Sequence, residues 1–328
     1  MKTETLDTGT AERRDFAIAV AVKYLREGAA IGLPTETVYG LAADAMKTEA
    51  VSKIFEAKDR PRFDPLIVHL PDAAWLERVA TPSAASTELT GKLTERFWPG
   101  PLTLVLPRKP TVLDLVTAGL ETVAVRVSAH PMFSQIIQTF DGPLAAPSAN
   151  RFGRMSPTSA GHVHAELAGR IPVIVDSGPT VHGLESTIVA LRNERIEILR
   201  HGPVTAEVLS EFGEVVNAKR GVVIESPGQM SSHYAPRTPL VLRSDARSFQ
   251  PEVAQKTGLL SFRGMNSERF AVTRTLSKSG DLREAAAKFF RLLRELDQEG
   301  LDLIVAEELP EEGLGCALME RLRRAANL

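Results

Sequence analysis

The chain has 328 residues, of which 43% are hydrophobic and 24% charged, and its formal net charge is -2. This composition is typical of folded globular proteins and excludes the disordered and fibrous classes. The length predicts two domains, because a single core rarely grows beyond about 250 residues. The near-neutral charge argues against a general nucleic-acid-binding protein, since such binding needs clustered Lys and Arg.

The cysteine count and the apolar runs narrow the class of protein further. Cys316 is the one cysteine, so an intramolecular disulfide and a thiolate metal cluster are both excluded. The start, MKTETLDTGTAERRD, is polar, and no later run approaches the ~20 apolar residues of a membrane helix. We therefore expect a cytoplasmic protein with no membrane partner.

The first half of the chain alternates between helical and strand-like patterns. A helix is predicted over Glu12 to Glu27, with an apolar face of Phe16, Val20, Ala21, Tyr24 and Leu25. Strand-length apolar runs follow at Ala29 to Leu33, Leu66 to Leu70, Leu102 to Leu106, Val123 to Val127, Val173 to Val175 and Thr187 to Leu191. Helical patterns lie between them at Thr48 to Ala57 and Ser86 to Phe97. Residues 1–216 are therefore predicted to form a mixed α/β domain of undetermined strand order.

A change of composition marks a second domain. Residues 217–239, NAKRGVVIESPGQMSSHYAPRTP, contain three prolines and no sustained helical period, which predicts an interdomain linker. Beyond it, strands are predicted at Leu240 to Leu242, Gly258 to Phe262 and Leu303 to Ala306, and helices at Leu282 to Leu296 and Leu318 to Ala326. Residues 240–328 are therefore predicted to form a small, Rossmann-like α/β domain.

Polar groups that could carry chemistry cluster at predicted strand ends, although GxxxxGK[ST] and GxGxxG phosphate motifs are missing. In AIGLPTETVYGLAADA a strand runs into a polar turn, where open α/β sheets often bind ligands. Lys58, Arg60 and Arg62 lie close enough in the sequence to bind a triphosphate. An ordinary turn and a solvated basic loop explain the same two segments.

Arg126 interrupts the apolar strand of TVAVRVSAHP, and a buried guanidinium needs an anion. A substrate carboxylate and an internal salt bridge are both suitable partners. His69 lies on a predicted strand, where a purely structural role would also explain it. The loop PLAAPSANRFGRMSPTSA offers hydroxyl and amide groups that turn chemistry explains equally well.

The order of these segments is more specific than any one of them. PTETVYGL, KDRPRFDPLIVH, FWPGPLT, VAVRVSAHP, APSAN, ESTIV and LRHGP together resemble the YrdC-like catalytic domain of the threonylcarbamoyl-AMP synthases. SPGQMSSHYAPRTPL and the α/β unit behind it resemble the extra C-terminal domain of that family's long form. The resemblance implies a twisted mixed α/β sheet around a deep, positively lined cavity.

The resemblance also implies an activity and a set of site residues. The activity is formation of threonylcarbamoyl-AMP and pyrophosphate from L-threonine, bicarbonate and ATP, for modification of an adenosine at tRNA position 37. The implied threonine pocket is Thr37, His69, Arg126, Ala146 and Ser186. The residues implied to contact ATP are Lys58, Arg60, Asp64, Thr122, Ser148, Asn150, Ser156, Arg200 and the lid residue Tyr234.

The implied chemistry needs charge neutralisation more than covalent catalysis. Lys58 and Arg60, with Arg200 and a Mg²⁺ ion carried by ATP, are expected to neutralise the phosphates, and no side chain is expected to act as a nucleophile. Asp64 departs from the Asn that the family often has before the Pro-Leu of this strand, which leaves its role open. The product is expected to pass to a separate transferase complex.

Two other functions compete with this interpretation. The same basic cavity could receive tRNA or double-stranded RNA without catalysis, although the charge and the lack of a long basic stripe count against it. A carbamoyl-adenylate enzyme of the hydrogenase-maturation type shares the YrdC-like domain, but that type carries cysteine-rich zinc motifs, which one cysteine cannot supply.

Overall fold

The computed structural model describes residues 2–192, 194–218, 234–252, 255–264 and 269–326. These residues form two β-sheets with helices packed against them. Most of the predicted linker, 219–233, lies outside the described residues, so its boundaries at 217 and 239 stay predictions. No helix in the described ranges is long and apolar enough to cross a membrane.

The larger sheet has eleven strands and contains both parallel and antiparallel pairs. Its strands are β1 Glu4–Asp7, β2 Ile31–Leu33, β3 Gly40–Asp44, β4 Ile67–His69, β5 Leu102–Pro107, β6 Thr122–Arg126, β7 Leu144–Ala145, β8 Val173–Asp176, β9 Thr187–Arg192, β10 Arg195–Arg200 and β11 Val215–Asn217. Their spatial order is β1-β8-β2-β3-β7-β4-β6-β5-β9-β10-β11. The predicted mixed α/β class is therefore confirmed, and the strand order is a result of the structure.

The helices that accompany this sheet are mostly short. They are α1 Ala11–Arg26, α2 Thr48–Lys58, α3 Leu76–Val79, α4 Thr87–Phe97, α5 Asp114–Thr117, α6 Pro131–Phe140, α7 Ala160–Leu167 and α8 Ala206–Leu209. The side chain of Thr10 accepts a hydrogen bond from the Arg13 amide and so caps α1.

The smaller sheet is parallel and has the order β12-β15-β13-β14. Its strands are β12 Leu240–Arg243, β13 Thr257–Ser261, β14 Val272–Thr275 and β15 Leu303–Glu307, and its helices are α9 Leu282–Asp297 and α10 Leu314–Ala325. Asp281 caps α9 by accepting hydrogen bonds from two amides of the first turn. The predicted Rossmann-like α/β unit is present, and α10 begins one turn earlier than predicted.

The buried face of α1 differs from the predicted one. Phe16 is 60% exposed, whereas Ala17, Ala21 and Leu25 are buried in a cluster that includes residues of α6. Alanine at two of these positions lets the two helices approach closely, which the larger Phe16 would prevent. The prediction that Phe16 belongs to the core face was therefore wrong, because its neighbour Ala17 occupies that face.

Several elements gave no clear sequence signal. Strand β1 lies in the polar start and buries only Leu6, and it exists because it pairs in parallel with β8 at the sheet edge. Strand β3 lies in the polar turn segment that showed no alternation, and it is buried along its whole length. His130, at the N-cap of helix α6, makes no capping hydrogen bond through its side chain, and Pro131 occupies the first turn of the helix.

Side-chain alternation in the central strands separates a core face from a site face. In β6, Val123 and Val125 belong to the main hydrophobic core, whereas Ala124 and Arg126 point to the opposite face. His69 of β4 is paired in register with Arg126 and lies on that same face. Strand β6 therefore packs its valines into the hydrophobic core and presents Arg126 on its opposite face.

The loop between β8 and β9 fits tightly against α9. Gly183 has a φ of +70°, and a Cβ atom there would lie 2.3 Å from the carbonyl oxygen of Ala286 and 2.6 Å from the Cα atom of Ala287. Gly178, in the same loop, has a φ of +80° and no atom within 4 Å of such a Cβ. The two glycines share the same backbone requirement and differ in the contact with the C-terminal unit.

We expect Gly183→Ala to destabilise the protein far more than Gly178→Ala. The left-handed backbone alone costs the alanine side chain about 1 to 2 kcal/mol, and only Gly183→Ala also forces α9 away from the loop. Urea unfolding monitored by circular dichroism measures both losses, and limited proteolysis reports the detachment of α9. Equal losses of unfolding free energy in the two variants would contradict this account of the domain contact.

Candidate active site

A pocket opens on the site face of the larger sheet. Its walls come from turns and strand ends that are far apart in the sequence: Thr35, Thr37, Val38, Gly40, Arg60, Ile67, His69, Arg126, Ala146, Pro147, Ser148, Glu185, Ser186, Arg200 and Tyr234. Three guanidinium groups and one carboxylate line it. The pocket is therefore suited to anionic ligands.

The turn between β2 and β3 is fixed by its own threonine side chains. The Thr35 hydroxyl donates to the Val38 carbonyl at 2.6 Å and accepts from the Thr37 amide at 3.2 Å. The Thr35 and Thr37 hydroxyls are 2.8 Å apart. This bonding holds the backbone in one conformation and keeps the Thr37 side chain at the pocket.

Arg126 is held from behind by Glu36. Its Nη2 atom lies 2.6 Å from Glu36 Oε1, its Nη1 donates to the Thr37 hydroxyl at 3.0 Å, and its Nε donates to the Gly100 carbonyl at 3.0 Å. Glu36 also accepts hydrogen bonds from the Ser128 hydroxyl and the Ala129 amide. Burial raises the pKa of Glu36, but Arg126 and these donors outweigh it and lower the pKa to about 2.

The internal salt bridge considered for Arg126 is therefore present, and it does not exhaust the guanidinium. The contacts with Glu36, Thr37 and Gly100 use one N–H each of Nη2, Nη1 and Nε. A guanidinium has five N–H donors. Donors of Arg126 are thus left for a ligand in the pocket.

His69 is a neutral group in this wall. Burial, with a contribution from the nearby Arg126, lowers the pKa of His69 to about 3. Its ring packs against Phe133 with a centroid distance of 4.8 Å, and Nδ1 has no hydrogen-bond partner among the described residues. His69 can therefore offer a hydrogen bond to a ligand without changing charge near neutral pH.

Arg60 and Asp64 form a buried pair beside the pocket. Arg60 Nη2 lies 2.9 Å from Asp64 Oδ2 and donates to the Pro65 carbonyl at 2.7 Å. Burial raises the pKa of Asp64, and the positive charge of Arg60 opposes this increase. Arg60 lines the pocket, whereas Asp64 lies behind it.

Lys58 lies under the loop that follows β7. Its ammonium donates to the carbonyl oxygens of Ser148 and Asn150, each at 2.5 Å. Burial, followed by the positive charge of Arg60, lowers the pKa of Lys58 well below its ordinary value. The geometry makes Lys58 a support of the Ser148 loop, and a direct contact of Lys58 with phosphate stays a prediction.

The opposite wall is built on Ser186 and Arg200. Arg200 donates through Nη2 to the Ser186 carbonyl at 2.9 Å and to its hydroxyl at 3.1 Å, and the Thr103 hydroxyl is 2.8 Å from the Ser186 hydroxyl. The pairing of β10 with β9 is irregular between Ile198 and Arg200. Such irregularities change the direction of side chains, and this one lies next to the arginine that faces the pocket.

Tyr234 closes the pocket from the side of the C-terminal unit. It is 1% exposed and has a φ of +65°, a conformation uncommon for a bulky residue. Its ring packs against Phe290 of α9 with a centroid distance of 5.6 Å. His233 of the same motif lies outside the described residues.

The structure brings most of the predicted site residues together. All five residues of the implied threonine pocket line it, as do Arg60, Ser148, Arg200 and Tyr234 from the implied ATP contacts. Five predicted residues lie outside the lining: Lys58, Asp64, Thr122, Asn150 and Ser156. Thr122 lies on the same face of β6 as Arg126, about 13 Å along the strand, so only an extended ligand would reach both.

Sequence reasoning missed Glu36 and gave no role to Glu185. Glu36 lies between two threonines after a strand, in TET, and Glu185 lies between Leu184 and Ser186 before a strand, in LEST. Both are more than nine-tenths buried. A buried carboxylate requires a cation, but the sequence alone identified neither the burial of these two residues nor Arg126 and Arg321 as their partners.

We expect the Glu36 ion pair to make folding stability depend on pH. A pKa lowered from 4.5 to about 2 contributes roughly 3 kcal/mol to stability, which is fully present above pH 4.5 and is lost as the pH falls toward 2. Glu36→Gln should lower stability at pH 7 and flatten its decline in that pH window. Urea unfolding at a series of pH values measures both effects.

Glu77→Gln is the matched control, because Glu77 is exposed. We expect it to leave both the stability at pH 7 and the acid decline unchanged. An acid decline of the wild type that Glu36→Gln leaves intact would contradict the assignment of this stability to Glu36.

Comparison with known proteins agrees with this geometry. The Sua5/YciO/YrdC family model, described as telomere recombination, matches residues 23–202, and the model for the C-terminal domain of threonylcarbamoyl-AMP synthase matches residues 204–327. The threonylcarbamoyl-AMP synthase of Bacillus subtilis is 40% identical over 339 residues, covering 97% of this chain and 95% of that protein. That of Pyrococcus abyssi is 38% identical over 330 residues, covering 95% and 94%.

A solved structure of Pyrococcus abyssi Sua5 complexed with L-threonine has the same fold over nearly the whole chain. The TM-score is 0.90 at 36% identity, covering 99% of this chain and 98% of that one. Family models match on both sides of the predicted linker, and the similarity extends through both sheets. The chain therefore belongs to the threonylcarbamoyl-AMP synthase family.

Proposed function

We propose that the pocket forms threonylcarbamoyl-AMP and pyrophosphate from L-threonine, bicarbonate and ATP. The observation that carries this proposal is the convergence of two groups of side chains in a single pocket. The first contains Thr37, His69 and Arg126, and the second contains Arg60 and Arg200, with Ser186 bonded to Arg200. The L-threonine complex of the Pyrococcus abyssi relative supports L-threonine as a substrate.

The threonine carboxylate is assigned to Arg126. Because Glu36 and Thr37 already orient the guanidinium, a second carboxylate meets a donor group that needs no further ordering. The negative charge of Glu36 offsets the positive charge of Arg126, so the threonine carboxylate is held mainly by the hydrogen-bond donors that remain on the guanidinium. This arrangement favours a moderate affinity combined with a fixed orientation.

Catalysis is assigned to the positioning of the substrates and the neutralisation of charge. The threonine amine and bicarbonate give a carbamate and water, a carbamate oxygen attacks the α-phosphorus, and the bond to the β-phosphate bridging oxygen breaks to release pyrophosphate. Arg60 and Arg200 neutralise charge on the phosphates as it moves to the leaving group. The Ser186 hydroxyl is already bonded to Arg200 and near Thr103, so no nucleophilic role is assigned to it.

Magnesium is proposed to enter with ATP rather than to occupy a site made by the protein. Among the described residues no cluster of three or more His, Cys, Asp or Glu has the arrangement of a metal site. Mg²⁺ is commonly held by substrate phosphates and water with few protein ligands, and Asp64, buried against Arg60 outside the pocket lining, is not placed to hold it. Bound to the phosphates, Mg²⁺ would supply charge neutralisation.

The product is proposed to be consumed in the threonylcarbamoyl modification of tRNA by a separate transferase complex. An acyl adenylate reacts readily with water, so a buried pocket and a direct handover both protect it. The proposed step uses ATP, L-threonine and bicarbonate alone, so it does not require tRNA in the pocket.

We expect the purified protein to release pyrophosphate from ATP only when both L-threonine and bicarbonate are present. Arg126→Met should abolish release, and the double variant Glu36→Gln/Arg126→Met should fold without an unpaired buried charge yet raise the KM for threonine about 100-fold. A coupled pyrophosphate assay measures both. The KM for ATP in the double variant should change little.

Arg108→Met is the control, because Arg108 pairs with Asp114 near the surface, away from the pocket. We expect wild-type rates from it. Release of pyrophosphate that does not depend on threonine would contradict the proposed function. A double variant with an unchanged KM for threonine would contradict only the role of Arg126.

A further inference from the structure

Arg321 of the C-terminal unit contacts two residues that line the pocket, Glu185 and Tyr234. This residue lies in α10 and is 0% exposed, although it carries a charge. Its Nε and Nη2 atoms both lie 3.0 Å from Glu185 Oε2, and its Nη1 donates to the His201 carbonyl at 2.6 Å. A buried guanidinium is tolerated only with such partners, so these contacts fix its position.

Glu185 connects Arg321 with the nucleotide side of the pocket. It lines the cavity, precedes Ser186, and its second oxygen accepts a hydrogen bond from the Ser156 hydroxyl. Burial raises the pKa of Glu185, but the positive charges of Arg321 and Arg200 outweigh it and hold the pKa below its ordinary value. The carboxylate is therefore a charged bridge between α10 and the Ser156 loop.

Arg321 also contacts the residue that closes the pocket. Its guanidinium carbon lies 5.6 Å from the centre of the Tyr234 ring, within cation–π range. Tyr234 has a strained φ of +65°, which persists only when surrounding contacts hold it. Arg321 on one side and Phe290 on the other supply those contacts.

We propose that Arg321 is a positioning residue of the nucleotide half of the site, acting through Glu185 and Tyr234, so that the C-terminal unit completes the ATP pocket. This inference rests on the proposed function, because it takes ATP as the ligand of that half. The threonine wall at Arg126 has its own support from Glu36 and does not depend on Arg321. Loss of Arg321 should therefore weaken the binding of ATP and leave the binding of L-threonine nearly unchanged.

We expect Arg321→Met to weaken ATP binding about tenfold or more and to change L-threonine binding less than about threefold. The double variant Arg321→Met/Glu185→Gln should bind ATP better than Arg321→Met, because the neutral amide removes the unpaired buried charge and can still accept from Ser156. Isothermal titration calorimetry of the full chain with ATP plus Mg²⁺, and separately with L-threonine, measures these constants without turnover.

Arg294→Met is the matched control for loss of a charged contact between the units. Arg294 forms another ion pair between them, with its Nη1 atom 2.9 Å from Glu166 Oε1, and its Nη2 atom donates to the Met155 carbonyl next to Ser156. It does not line the pocket, and its carboxylate partner is Glu166 rather than Glu185. We expect this variant to lose stability but to bind ATP within about threefold of the wild type. Equal loss of ATP affinity in Arg294→Met and Arg321→Met would overturn the proposal, because docking alone would then explain both.

Two further outcomes would contradict the proposal. Wild-type ATP affinity in Arg321→Met, or an equal loss of threonine affinity, would overturn the positioning role. If Arg321→Met does not fold, Arg321→Lys keeps the charge beside Glu185 but loses the bond to the His201 carbonyl, and it should still weaken ATP more than threonine. A wild type that binds ATP but releases no pyrophosphate would contradict the proposed function and leave the comparison of ATP affinities valid.

Discussion

Buried guanidinium groups are the constraint on which the pocket and the domain contact depend. Arg126, Arg60 and Arg321 are each less than a tenth exposed, and each lies within 3.0 Å of a carboxylate oxygen. The desolvation of an arginine costs several kcal/mol, and only such pairing with good geometry offsets it. The carboxylates that make the pocket possible are therefore as necessary as the cations that face the substrates.

This pairing has a consequence for affinity. A site for threonine and triphosphate needs positive charge, but unpaired cations would repel one another and destabilise the fold. Arg126 and Arg60 are instead paired with Glu36 and Asp64, which weakens the net field while the donors stay in place. Binding energy then comes from preorganised donors rather than from bulk charge, which agrees with a chain whose net charge is only -2.

The same principle joins the two sheets. Arg294 with Glu166 and Arg321 with Glu185 are buried ion pairs between the units, and Gly183 lets the loop before β9 approach the backbone of α9. Met155 and Leu184 also join the hydrophobic cluster of the C-terminal unit, so the contact is both apolar and charged. The charge pairs restrict its geometry, because a misplaced pair is costly.

The sequence by itself determined the mixed α/β class, most of the central strands and the segments that line the pocket, since apolar runs and strand-end polar groups are local patterns. Only the tertiary structure decided the strand order, the polar edge strand β1 and the buried face of α1, which excludes Phe16. It also decided which anion neutralises Arg126 and that Lys58 supports a loop. Partners such as Glu36 and Arg321 come from distant segments, and long-range pairing of charges leaves no periodic trace in the chain.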